Sequence, residues 1–105
     1  MTSVKFLSNK ESVCGFEIKG HSSNNCDDLE GKIVCAAVSS VAYMTANTIT
    51  EIIGDECEID IDDALMRVKV INPNLNTKVI LDGLKLHLTE LSKQYSKRIK
   101  ITTEV

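Results

Sequence analysis

The sequence contains no Trp and only 4% aromatic residues, so it lacks the ring platform on which single-stranded nucleic-acid binders stack bases. A basic excess is missing too. Twelve Lys and Arg stand against 15 Asp and Glu for a net charge of -3, whereas proteins that grip phosphate backbones carry surplus positive charge. Direct nucleic-acid binding is therefore not expected. No Cys-x-x-Cys pair occurs among Cys14, Cys26, Cys35 and Cys57, which argues against a zinc ribbon or a thioredoxin-type motif. No metal or other cofactor is expected. The first ten positions hold no apolar run of secretory-leader length, and the longest helical stretch is interrupted by Ser, Thr and Asn, so no membrane association is expected. A cytoplasmic location, where thiols stay reduced, follows from the same reading.

What is present is ordinary globular composition. The 105 residues are 43% hydrophobic and 26% charged, enough for one core and too few for two. One domain over 1–105 is expected. Val4 and Phe6, then Cys14, Phe16 and Ile18, alternate with polar neighbours around the turn residues 8–12, as a β-hairpin does, with Cys14, Phe16 and Ile18 facing the core. Positions 20–32 are polar and without period, which predicts a long loop of the kind that more often serves function. Ile33, Val34, Ala37, Val38, Val41, Thr45, Ile49 and Ile52 then recur at helical spacing, and Gly54 stands where a left-handed cap belongs. That predicts a helix over about 33–53.

Cys57, Ile59 and Ile61, and after them Met66, Val68 and Val70, alternate with charged residues. With Asp62-Asp63 as the turn, Glu58 faces Arg67, Glu56 faces Lys69, Ile59 meets Met66 and Cys57 meets Val68. Asn72-Pro73-Asn74 stops this hairpin. Ile80, Leu84, Leu88, Leu91 and Tyr95 mark a second helix, from 75 or 77 to about 95, and Ile99 and Ile101 a last strand. The order is ββαββαβ. The fold class is α+β, with two helices packed on one face of a mixed β-sheet.

Cys35 is the most informative residue. In a helix beginning near 33 it falls in the first turn, where unsatisfied N–H groups and the helix dipole stabilise a thiolate. The alternative is a small buried apolar side chain. His21 opens the polar loop after Gly20 and can supply the base that a thiol nucleophile needs, although the spacing permits contact without enforcing it. Ser39, Ala42 and Ala46 continue from Cys35 as a stripe of small residues, suited to close approach of a substrate strand, of a partner subunit, or of the protein's own sheet. His87, on the apolar side of the second helix, reads as a core or interface histidine. Cys14 and Cys57 read as structural, whereas Cys26 is a candidate resolving thiol or a third metal ligand beside His21 and Cys35. The acid-rich stretch 56–63 alternates with Ile and reads as a solvated hairpin face rather than a calcium loop.

Gly20-His21-Ser22, a polar loop, and then Gly31-Lys32-Ile33-Val34-Cys35-Ala36-Ala37-Val38-Ser39 resemble the ribosomal-processing cysteine protease Prp family, as does the ββαββαβ order. The resemblance implies His21 and Cys35 as the catalytic pair, and maps the family's Ser one turn on from the cysteine onto Ser39, as a substrate-binding or supporting residue. It also implies removal of a short N-terminal extension from the twenty-seventh large-subunit ribosomal protein, cutting after an aromatic residue, by a homodimer. This sequence departs from the family in a longer His-to-Cys loop and in Lys32, which stands where Asp is common. Asp27, Asp28 and Glu30 are the candidates for an acid that orients His21. Two other classes stay open: a non-catalytic ribosome-associated peptide-binding module, and a small thiol redox protein using Cys26 and Cys35.

Overall fold

The computed structural model of the chain describes residues 1–9, 12–20 and 28–104. Strands β1 (Thr2–Ser8) and β2 (Val13–Lys19) form the expected antiparallel hairpin, with Val4 opposite Ile18 and Phe6 opposite Phe16. The register slips once. Leu7 pairs with Gly15 but Ser8 pairs with Val13, so Cys14 is the extra residue of a β-bulge. The bulge re-aims two side chains: Val13 joins the helix-side core, whereas Cys14 lines a shallow depression with Leu7, Arg67 and Lys69. Cys14 is buried as expected, at 7% exposure, but beside Leu7, away from the helix-side cluster that holds Phe16.

Helix α1 (Leu29–Asn47) starts a turn earlier than its apolar period announces, because Asp28 caps it by accepting the Gly31 N–H at 3.1 Å. Residues 28–32, expected as loop, are therefore the cap and first turn of a helix. At the other end α1 runs into a π-helical segment, Thr48–Ile53, that stops at Gly54 with φ of 85°. Thr45, Thr48 and Thr50 each donate to the carbonyl four residues back, a competition that loosens helical backbone. The N–H groups of Gly54 and Asp55 both close onto the Ile49 carbonyl.

Strands β3 (Cys57–Asp62) and β4 (Leu65–Val70) pair antiparallel about a turn at 63–64. The register is Glu58 with Lys69, Asp60 with Arg67, Ile59 with Val68 and Cys57 with Val70. The expected pairing was two positions off. A shift of two keeps every side chain on its face, so the alternation of apolar and polar residues fits both registers and only the turn decides between them. Helix α2 (Leu75–Gln94) follows, capped by Asn74, whose side chain accepts the Asn76 N–H. Its buried stripe is Thr77, Leu81, Leu84 and Leu88, and His87, one position off that stripe, is exposed rather than in the core.

Strand β5 (Ile99–Glu104) lies parallel to β1 and completes a five-stranded sheet of order β3-β4-β2-β1-β5. Both helices cover one face, where Val4, Phe6, Phe16, Val68 and Val70 meet Val34, Val38, Ala42 and Ile49 of the first helical run and Leu81, Leu84 and Leu88 of α2. Burying each Phe or Leu there contributes roughly 1.5–3 kcal/mol. The run Leu29–Ile53 is long and apolar enough by composition to cross a bilayer. Its Val34, Val38, Ala42 and Ile49 are instead spent on the sheet, as in the core helix of a globular domain.

Candidate active site

Cys35 stands nearly two turns into α1, because the helix begins at Leu29. Its amide is thus inside the hydrogen-bonded ladder, and the expectation of a thiol among the unsatisfied N–H groups of the first turn is corrected. To act as a nucleophile, a thiol so placed would need a base brought from elsewhere in the chain.

The cysteine is half-buried, and Ser39, four residues on, is exposed. Both line a cavity of about 120 Å³ between α1 and the β3–β4 turn. Ligand pockets for whole small molecules run to roughly 300–1,000 Å³, so this one suits a single side chain. Ile18, Val38 and Met66 supply apolar walls, Tyr43 stands on the helix side, and Asp62 and Asp63 form an acidic rim. The stripe of small residues divides here. Ala42 and Ala46 pack into the core at 0% and 5% exposure, Ala42 at the floor of the cavity, leaving Cys35 and Ser39 at its open end.

Gly20 lines the same cavity. Its φ is 84°, its N–H donates to the Ala64 carbonyl at 2.9 Å, and a side chain there would sit 2.6 Å from the Met1 carbonyl oxygen. Only glycine fits such a position. The cavity therefore carries Cys35 on one wall and, on another, the residue from which His21 continues. His21, Cys26 and Asp27 themselves lie outside the described residues.

Asp28 and Glu30, two of the candidate acids, meet Arg98. Its Nη1 lies 2.7 Å from Asp28 Oδ2 and its Nε 2.9 Å from Glu30 Oε1. Hydrogen bonds to Asp28 and then Glu30 raise the guanidinium further above its ordinary range. This residue was invisible to sequence reasoning, since 70 and 68 positions separate it from its partners and no periodicity links them. Cys57, at the start of β3, is half-buried beside Asp55, and burial first and that carboxylate second push its thiol up. Among the described residues no group of three or more His, Cys, Asp or Glu is placed to hold a metal ion.

A sequence model of the family described as cysteine protease Prp matches residues 1–100. No curated protein sequence matches. Among solved structures, the essential ribosomal processing protease Prp from S. aureus is similar in two forms. The complex with a covalently linked product peptide has 22% identity and a TM-score of 0.86, covering 99% of this chain and 100% of that one. The complex with a substrate peptide has 20% identity and a TM-score of 0.87, with the same coverage. SMU.848 from Streptococcus mutans has 22% identity and a TM-score of 0.85, covering 99% of each chain. At these identities the likeness is one of fold.

Proposed function

Because the chain belongs to the cysteine protease Prp family, we propose that it is an endopeptidase that trims the N-terminal extension of the twenty-seventh large-subunit ribosomal protein after an aromatic residue. Cys35 is the nucleophile and His21 the base. The observation that carries this reading is the shared cavity: Cys35 and Ser39 open onto it, and so does Gly20, the residue directly before His21. Support for the substrate class comes from the S. aureus ribosomal processing protease, which adopts the same fold around a substrate or product peptide. A ribosomal substrate and reduced thiols both go with a cytoplasmic site of action.

In the reaction, His21 takes the Cys35 proton and the thiolate attacks the scissile carbonyl carbon. The tetrahedral adduct collapses to a thioester as His21 returns the proton to the leaving amine, and water then hydrolyses the thioester. The Ser39 hydroxyl, on the same wall, supports the bound peptide. The cavity, with its apolar walls of Ile18, Val38 and Met66, takes the aromatic side chain ahead of the cut, and burying that ring orients the carbonyl toward sulfur.

The test compares two peptides that differ only at the residue before the cut, Phe or Ala, read by mass spectrometry. The Phe peptide is expected to be cleaved at least about tenfold faster, since differences in apolar burial of this size discriminate by that order. Equal rates would remove the cavity as the specificity pocket.

A further inference from the structure

Arg98 ties three separate pieces of chain to one end of the sheet. Its carbonyl accepts the Thr2 N–H at 2.8 Å, and its own N–H donates to the Tyr95 carbonyl at 2.8 Å, so its backbone is held where β1 and β5 begin. Its guanidinium reaches across to α1, pairing with Asp28 and Glu30. Asp28 is shared: one carboxylate oxygen caps the Gly31 N–H and the other receives Arg98. Both ionic side chains of that pair are partly buried, at 22% and 11% exposure, which favours a fixed geometry over a loose surface contact.

The first turn of α1 has little apolar anchorage of its own. Leu29 is 70% exposed and Ile33 52%, and the first side chain of this helix in the core is Val34. Cys35 comes directly after. The cavity that Cys35 faces is walled on its other side by Thr2, Ile18 and Met66, which belong to the sheet. How the sulfur stands to that cavity therefore depends on how the start of α1 is fixed to the sheet end, and the Arg98 pair spans that junction.

We propose that Arg98 is a positioning residue for proteolysis: by holding Asp28 and Glu30 it fixes the start of α1, and with it the Cys35 sulfur, relative to the substrate cavity. The proposal rests on the protease reading above. Arg98 is not among the residues lining the cavity, so its loss acts on the chemical step more than on peptide binding. A misplacement of about 1 Å costs up to about a hundredfold in rate.

The experiment is a double-mutant cycle on peptide cleavage, using Arg98→Met, Asp28→Asn and the double variant, with Arg98→Lys as the conservative control. Asn is as good a helix cap as Asp, so Asp28→Asn removes the ionic partner while the helix start stays capped, and Arg98→Gln takes the place of Arg98→Met in the cycle if the latter does not fold. Each single change is expected to lower kcat about tenfold to a hundredfold with KM within about twofold. The double variant should be no worse than the worse single, because one linkage is being cut twice, and Arg98→Lys should recover part of kcat. Unchanged kcat in both single variants, with the parent active, overturns the proposal and leaves the protease reading standing. Losses that multiply in the double variant also overturn it, as does a loss in Asp28→Asn alone, which would mean that Asp28 acts on His21 directly. A parent that cleaves nothing removes the protease reading and this proposal with it.

Discussion

Cys35 and Ser39 were legible as a pair because four residues on a helix is one turn, and both indeed open onto one cavity. The local environment of Cys35 was not legible. The sequence signal for a helix start is an apolar period, and the first turn here, Leu29 to Lys32, buries only Gly31, so the helix appeared to begin beside the cysteine. On the proposed mechanism, with Cys35 inside the ladder, its activation rests on His21, and His21→Ala should lower kcat/KM by at least about a hundredfold, as loss of a general base does. Near-normal activity in a steady-state assay of that variant would require another base. Cys57 gives a prediction about stability. Burial and Asp55 raise its thiol in the folded chain, so the folded state holds the proton more tightly than the unfolded one. That contribution is fully present below the unfolded value, about 8.5, and fades as pH rises through the folded one. Urea midpoints of the parent should fall above that pH, and Cys57→Ala should flatten the decline; an identical alkaline slope in both would contradict the assignment.

The elements themselves were set by alternation and helical period, which is why all five strands and both helices could be anticipated in order. Where two arrangements satisfy the same pattern, sequence gave no purchase. The β3–β4 register illustrates this, since a shift of two leaves Ile59, Ile61, Met66 and Val68 on their own faces. The bulge at Cys14 is the opposite case, a one-residue slip that puts Val13 in the helix-side core and leaves Cys14, still buried, beside Leu7. Beside it, Gly15 lets β2 approach β4 so closely that a side chain there would overlap the Val68 carbonyl oxygen. Gly15→Ala should therefore push two central strands apart and lower unfolding free energy by about 1–3 kcal/mol, the usual cost of overpacking. Denaturant unfolding checks this, and an unchanged midpoint would show that the strands are not so close.

At the scale of the whole molecule, the interleaving of strands builds the site. Chain order β2-α1-β3 carries α1 over the sheet, and residues of α1, β4 and the β3–β4 turn together wall the cavity that Cys35 faces. Contacts between residues 20 and 64, 2 and 98, and 28 and 98 close that end of the domain, and none of them leaves a mark in local sequence pattern. The homodimer that the family resemblance implies belongs to this scale, and light scattering behind size exclusion should give twice the monomer mass. A monomer mass with full activity would show that one chain is sufficient. The central claim, that Cys35 performs proteolysis, is met most directly by following the unprocessed ribosomal protein precursor with intact-mass spectrometry in the presence of the parent or of Cys35→Ala. The parent should remove the N-terminal extension at one bond and the folded Cys35→Ala variant should leave the precursor whole; turnover retained by that variant would contradict the account.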